Sequence, residues 1–354
     1  FKEAELNFKR ILNQNSKDKN ALKNLGEVYR KLNKFNFAIK YYEFYLAINS
    51  NDNEVINNIA SCYLKNRKYK LAVSYYRDLA KKNPEDQEYV TNLAFALIDS
   101  LNFKEGMKIL EHLLDKNIKN RRALSGYLFN QNYNPQINFN KLNKYIKSFY
   151  QSYKIDNLNI IDFCFKKNPK KINIGFVSPD FRNHPVGYAI TNVIKYLKSY
   201  NFNLFAYYSF SFEDNLTSKF KKDFNYFYNI ADHNDEQVIN KIRSDGIHIL
   251  IDLAGYTFNN RLSIFFYNPA PIQISWLGYL PSLDLKEIKY KIGDPHVYSK
   301  NIEKKFHEKI LRLPNIWSDF FVRQNIDISK LSFDEKNDQI IFGCFVTLRK
   351  INDS

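Results

Sequence analysis

Cysteine is scarce in this sequence. The three present, Cys62, Cys164 and Cys344, are scattered, with no metal-ligand spacing, no redox pair and no disulfide framework. That excludes the small disulfide-stapled classes and fits a reducing, cytoplasmic compartment. No apolar run approaches the ~18 residues that a membrane span needs. No signal-like leader opens the chain. A GxGxxG phosphate cradle is missing, which removes the dinucleotide-binding fingerprint. No Asp-x-Asp pair stands at a strand end, so no metal site is expected. The chain begins at Phe1 without a methionine and stops at Ser354 inside a patterned segment, which reads as a fragment.

What is present is a foldable chain. Its 354 residues are 44% hydrophobic and 16% aromatic, enough to exclude disorder and to bury two or three domains. The net charge is +16. Residues 1–150 hold 26 basic and 15 acidic side chains, and the remainder hold 27 and 22. The excess is Lys-rich and spread along helix faces. It forms no focused stripe of the kind nucleic acid would need, so no specific nucleic-acid partner is expected.

A period of 34 organises the first third. Gly26, Tyr29, Ala38 and Tyr42 become Ala60, Tyr63, Ala72 and Tyr76, then Ala94, Leu97, Gly106 and Leu110. Small residues recur where helices must approach closely, and large apolar residues recur where a core must be filled. Pro84 closes the second unit. Ala4 and Phe8 hold the same phase upstream, so the chain opens midway through another unit. The pattern resembles the tetratricopeptide repeat, a helix–turn–helix of 34 residues whose stacking makes a concave polypeptide-binding surface. Asn24, Asn58 and Asn92 share the spacing. Such a ladder of carboxamides could grip the amide groups of a bound peptide. Asn is also an ordinary residue at this point of the repeat.

From Arg121 the repeat decays. A helical stretch breaks at Asn134-Pro135, a second helix is expected over 140–153, and a Pro-bearing polar linker over 166–171 marks a boundary near 155–171. Beyond it the pattern becomes strand–helix alternation. Strands are expected at 172–178, 202–210, 247–253 and 272–277, with helices at 186–200 and 235–244. This implies a parallel sheet covered on both faces, with ligands at the carboxyl ends of its strands. His184 stands just before a helix start, with Pro185 suited to the first turn. It could be a neutral base, a polar contact to a substrate hydroxyl or a helix cap. His248 stands near the beginning of its strand, the wrong end for the same cleft, where a buried structural histidine is the competing reading. Gly255 and Thr257 follow the exit of that strand.

Several motifs occur in one order. They are Gly175-Phe176-Val177-Ser178-Pro179-Asp180-Phe181, Asn183-His184-Pro185, Asp245-Gly246-Ile247-His248-Ile249-Leu250, Gly255-Tyr256-Thr257, Pro269-Ala270-Pro271-Ile272-Gln273 and Trp276-Leu277-Gly278-Tyr279. Together with the tail from Ile341 to Ile351, they resemble the O-linked N-acetylglucosamine transferase family, which includes the plant SPINDLY-type O-fucosyltransferases. The resemblance implies a tetratricopeptide superhelix over 1–120 and a helical junction and linker over 121–170. It then implies the Rossmann-like, α/β amino-terminal lobe of a GT-B fold over 171–338, and the start of the nucleotide-binding lobe over 339–354. It implies inverting transfer of a sugar from a nucleotide diphosphate to Ser or Thr of polypeptides captured by the repeats. UDP-GlcNAc is the first donor choice. GDP-fucose, or a scaffold whose catalytic part has decayed, is the alternative. No cofactor is implied.

By position the resemblance makes His184, His248 and Lys350 the catalytic candidates, with Lys350 at the leaving diphosphate. A solvated lysine is the competing reading for Lys350 alone. Asn183, Thr257 and Thr347 become substrate contacts. Two departures stand out. Leu280-Pro281-Ser282-Leu283-Asp284 replaces a Pro-Gly-Thr-like loop, and Thr347 replaces a common amide side chain. With most of the second lobe absent, the fragment itself is expected to turn over little or nothing.

Overall fold

The computed structural model describes residues 1–134, 139–152, 155, 158 and 169–319. They fall into two compact units that divide between Gln136 and Ile137.

The first unit is all helical: α1 (Lys2–Gln14), α2 (Lys19–Lys31), α3 (Phe35–Leu46), α4 (Asn53–Lys65), α5 (Tyr69–Lys82), α6 (Gln87–Asp99), α7 (Phe103–Lys116) and α8 (Arg121–Asn130). Antiparallel pairs α2/α3, α4/α5 and α6/α7 are the three hairpins of the 34-residue period. The small positions sit where helices touch. A Cβ on Gly26 would stand 2.6 Å from the Tyr42 ring, and one on Gly106 2.6 Å from the Ala94 carbonyl oxygen. Ala38, Ala60, Ala72 and Ala94 are fully buried, and Tyr42, Tyr76 and Leu110 fill the seams between them.

Two further periodic features shape each hairpin. The first helix of each is capped by a side chain recurring every 34 residues. Asp18 accepts from the Ala21 N–H, Asp52 from Val55 and Asp86 from Tyr89, and Asn120 does the same for Ala123 in α8. The turn between the two helices then takes a left-handed residue at Asn33, Arg67 and Leu101, with φ of 58°, 60° and 71°. The next N–H closes each turn onto a carbonyl five residues back: Lys34 to Tyr29, Lys68 to Tyr63, Asn102 to Leu97, each at 2.9 Å. Asn fits that conformation, whereas a branched residue such as Leu101 is strained in it. Leu101→Asn is therefore expected to stabilise the repeats by about 0.5–1 kcal/mol, read from helical melting at 222 nm.

The second unit opens with α9 (Phe139–Ser152) and contains a seven-stranded sheet. Its strands are β1 (Ile172–Ser178), β2 (Phe202–Tyr208), β3 (Tyr226–Asn229), β4 (Ile249–Asp252), β5 (Ile272–Ser275), β6 (Tyr290–Gly293) and β7 (Lys309–Arg312). Every pairing is parallel, in the order β3-β2-β1-β4-β5-β6-β7. The helices between strands are α10 (Pro185–Leu197), α11 (Asn215–Asp223), α12 (Asp235–Ser244) and the short α13 (Leu262–Phe265) and α14 (Lys300–Glu303). Phe176, Phe181, Leu204, Ile190, Ile194 and Phe220 are wholly buried in the main core. The chain runs outward from β1 to β3, then returns to place β4 on the other side of β1. The β1/β4 carboxyl ends are thus the topological switch point, where sheets of this kind bind ligands.

α9 braces the loops beyond that edge. Tyr150 stacks on Phe266 at 4.4 Å between ring centres, and Phe149 meets Tyr256 and Phe266 edge-on. The Tyr150 hydroxyl accepts from the Lys286 N–H at 2.8 Å and donates to Glu287 at 3.1 Å.

Candidate functional site

The loop after β1 turns sharply into α10. A Cβ on Gly187 would stand 2.3 Å from the Arg182 carbonyl oxygen and 2.7 Å from that of Asp180, so only glycine lets the helix start so close to the loop. His184 is the N-cap, with an extended backbone (φ −148°, ψ 150°). Its side chain is about one-third exposed, and Nδ1 lies 3.3 Å from Oδ2 of the buried Asp180. The other Asp180 oxygen accepts from Arg182 Nη2 at 3.1 Å. Arg182 itself lies over the Phe210 ring.

Nδ1 of His184 also lies 3.3 Å from the Val186 N–H. One nitrogen cannot serve both neighbours at once. With a proton it donates to Asp180 and leaves a lone pair on Nε2. Without one it caps the helix, and Nε2 carries the proton. Burial favours the neutral ring and pushes the His184 pKa below its ordinary value, with Arg182 adding to the shift and Asp180 opposing it. Burial raises the Asp180 pKa, while His184 and Arg182 pull it down. The result is a neutral imidazole at physiological pH, oriented by a carboxylate at the mouth of the sheet.

The other sequence candidates are placed differently. Asn183 is exposed on the same loop. Its N–H donates to Asp214 at 2.7 Å, and its carboxamide oxygen accepts from the Tyr188 hydroxyl at 2.9 Å. Thr257 lies on the turn after β4, the strand that flanks β1 at the switch point. Its Oγ1 is buried and has no hydrogen-bond partner among the described residues. His248 sits at the amino end of β4. Its Nδ1 accepts from the Asn173 N–H at 3.0 Å, and its own N–H donates to the Asn173 carbonyl at 2.9 Å. Asn173 is five residues before Ser178 on β1, about 17 Å at the rise of a parallel strand. The structure therefore separates His248 from His184: a histidine at the start of a parallel strand staples the ladder and does not reach the crevice. Lys350 and Thr347 lie outside the described residues.

The asparagines of the repeats differ in display. Asn24 is exposed and Asn58 half-buried. Asn92 is 7% exposed and donates to Asn57 at 2.9 Å. The next equivalent position, Gly126, packs under the Phe95 ring, 2.3 Å from where its Cβ would be.

Three features of the crevice rest on contacts that no sequence motif displays. Asp252, wholly buried at the end of β4, accepts from the Gly255 N–H at 2.7 Å and the Ala254 N–H at 3.2 Å. The loop after β5 presses onto the one after β4. A Cβ on Gly278 would stand 2.0 Å from the Leu253 carbonyl oxygen, and one on Gly255 (φ 57°) 2.2 Å from Tyr279 Cβ. Leu277, just before Gly278, takes φ 71°. Third, the divergent loop at 280–284 is firmly held. Tyr298 donates to the Leu280 carbonyl at 2.8 Å and Tyr256 to that of Leu283 at 2.6 Å, while Glu308 takes the Ser282 hydroxyl at 2.6 Å and the Leu283 N–H at 2.7 Å.

Comparison with known proteins agrees with this architecture. The tetratricopeptide repeat profile matches residues 21–54 and 55–88. A probable UDP-N-acetylglucosamine–peptide N-acetylglucosaminyltransferase, SPINDLY, of Solanum lycopersicum is 33% identical over 146 residues, which are 40% of this chain and 16% of that protein. The UDP-N-acetylglucosamine–peptide N-acetylglucosaminyltransferase of Caenorhabditis elegans is 32% identical over 152 residues, 42% of this chain and 13% of that protein. The matches thus span less than a fifth of these relatives' length. A mutant O-GlcNAc transferase from Thermobaculum terrenum shares the fold, with a TM-score of 0.74 at 22% identity over 85% of this chain and 58% of that one. The profile of Glycosyl transferase family 41 matches residues 98–334, about two-thirds of the chain. Helical repeats leading to a parallel-sheet lobe with a polar switch-point crevice therefore belong to a member of glycosyl transferase family 41.

Proposed function

We propose that this chain is the repeat and acceptor-side portion of a protein O-glycosyltransferase. It moves N-acetylglucosamine from UDP-GlcNAc to Ser or Thr hydroxyls of polypeptides captured by the repeats, with inversion. The observation that supports this reading is the Asp180–His184 pair at the carboxyl end of β1, beside the switch point, in a chain whose relatives are named for that transfer. In this reading the acceptor oxygen attacks the anomeric carbon as the bond to the diphosphate oxygen breaks. The hydroxyl proton leaves to a base, for which His184 Nε2 is the first candidate. Lys350 meets the charge growing on the diphosphate. Asn183, Thr257 and Thr347 line the substrates. The asparagines at 24, 58 and 92 contact the polypeptide, with Asn24 and Asn58 the better displayed. The chemistry calls for no metal or other cofactor.

The test is transfer of labelled sugar to peptide by the full-length product of the gene, with UDP-GlcNAc and GDP-fucose offered in parallel. Labelling from UDP-GlcNAc is the expected result. Labelling from GDP-fucose alone would move the activity to fucosyl transfer. No labelling from either, with peptide still bound, would identify a scaffold.

A further inference from the structure

One rung of the sheet carries a charge that the proposed transfer does not use. Asp252, Ser275 and Lys291 pair in register across β4, β5 and β6, so they stand side by side on one face. All three are buried: 0%, 1% and 1% exposed. The Lys291 ammonium donates to the Ser275 hydroxyl at 3.0 Å and to the Tyr279 carbonyl at 2.7 Å. Among the described residues no carboxylate oxygen lies within 4.0 Å of it. The charged groups that influence it are Asp252 on one side and Glu308, just before β7, on the other. A buried ammonium without a close counter-charge is expensive, and a methionine would fill much of the same space at less cost. Its two acceptors show what the charge does. The Tyr279 carbonyl belongs to the strained turn after β5, where Leu277 is left-handed and Gly278 lies against Leu253. The Tyr279 ring covers Gly255 and meets Tyr256 edge-on at 5.3 Å. On the same rung Asp252 caps the turn after β4.

We propose that Lys291 is a positioning residue: from beneath the crevice it tethers the turn at 276–279 and, through Tyr279, the turn at 253–257 that carries Thr257. Its importance for substrates rests on the function proposed above, but the tether itself does not. Burial lowers the Lys291 pKa to about 8 and raises that of Asp252 to about 6. The ammonium is therefore lost as pH rises through about 8, and Asp252 gains its proton as pH falls through about 6.

The experiment is amide hydrogen exchange on this chain without substrate, in wild type, Lys291→Met and Lys291→Arg, with melting followed in parallel. Lys291→Met is expected to speed exchange at 276–279 at least tenfold with its melting essentially unchanged, and Lys291→Arg to restore much of the protection. Equal exchange in wild type and Lys291→Met overturns the proposal. If Lys291→Met does not fold, wild type decides. Corrected for intrinsic rates, protection at 276–279 should fall as pH passes 8 while that of α2 does not, and a flat profile overturns it. Failure of the full-length enzyme to transfer sugar would remove the proposed function and leave these exchange results standing.

Discussion

Gly278→Ala is expected to destabilise the sheet unit by about 3 kcal/mol or more. The new methyl would stand 2.0 Å from the Leu253 carbonyl oxygen and 3.3 Å from the Ala254 Cα, both backbone atoms that no rotamer change can move. Relief requires the turn after β5 to lift off the one after β4. That would break the hold of Lys291 on the Tyr279 carbonyl and uncover Gly255. The measurement is selective because both tryptophans of the chain, Trp276 and Trp317, lie in the sheet unit. Trp276 is 5% exposed and donates to the Trp317 carbonyl at 2.8 Å. Urea melts followed by tryptophan fluorescence therefore report this unit and not the repeats. A midpoint unchanged from wild type would mean that the crossing of the two turns is looser than described.

His184→Ala in the full-length enzyme is expected to lower kcat about 10²–10⁴-fold with little change in KM, the loss typical of a missing general base. It should also cost about 1 kcal/mol of stability through the lost helix cap. The two effects separate the possible roles, since a histidine that only caps α10 would show the second without the first. The pH profile gives a further check. Because burial holds the His184 pKa below its usual 6.5, the ring stays neutral as pH falls through 6.5. The acid limb of kcat should therefore lie below that value. Asp180→Asn removes the charge that opposes this shift, so the limb should move lower still. It should also reduce kcat by freeing the ring's orientation. An acid limb that stays put in Asp180→Asn would remove Asp180 from the site.

The repeats were legible because a fixed spacing repeats both the small and the large positions. Gly26 against Tyr42 and Gly106 against Ala94 show the contact that the pattern encodes. The caps at 18, 52, 86 and 120 carry the same period but escaped notice, because Asp and Asn at a helix start look like any polar residue in a Lys- and Asn-rich chain. β1, β2, β4 and β5 were legible as apolar or β-rich runs, and α9, α10 and α12 as helical stretches. β3, β6 and β7 are no shorter than β4 and β5, but Asn225 and Asn229, Lys289 and Lys291, and Lys309 and Arg312 interrupt the apolar runs around them. Lys291 illustrates the limit best. Within Tyr290-Lys291-Ile292 it reads as an outward-facing strand residue, and only its place between β5 and β7 buries it. The site was half legible: the loop of His184 came from its position after an apolar strand, whereas its pairing with Asp180 depends on how tightly Gly187 lets α10 begin.

The strand order also sets a timetable for synthesis. Each helical hairpin closes between neighbours in the chain, so the repeats can consolidate hairpin by hairpin as they leave the ribosome. The sheet cannot. β1 must wait for β4, because Ile174 finds Ile249 only after two other strands and three helices have been made. The last edge, β7, ends at Arg312. Until then the far edge of β6 stays unpaired, and nascent chains stalled before β7 should be the ones most prone to chaperone capture and aggregation.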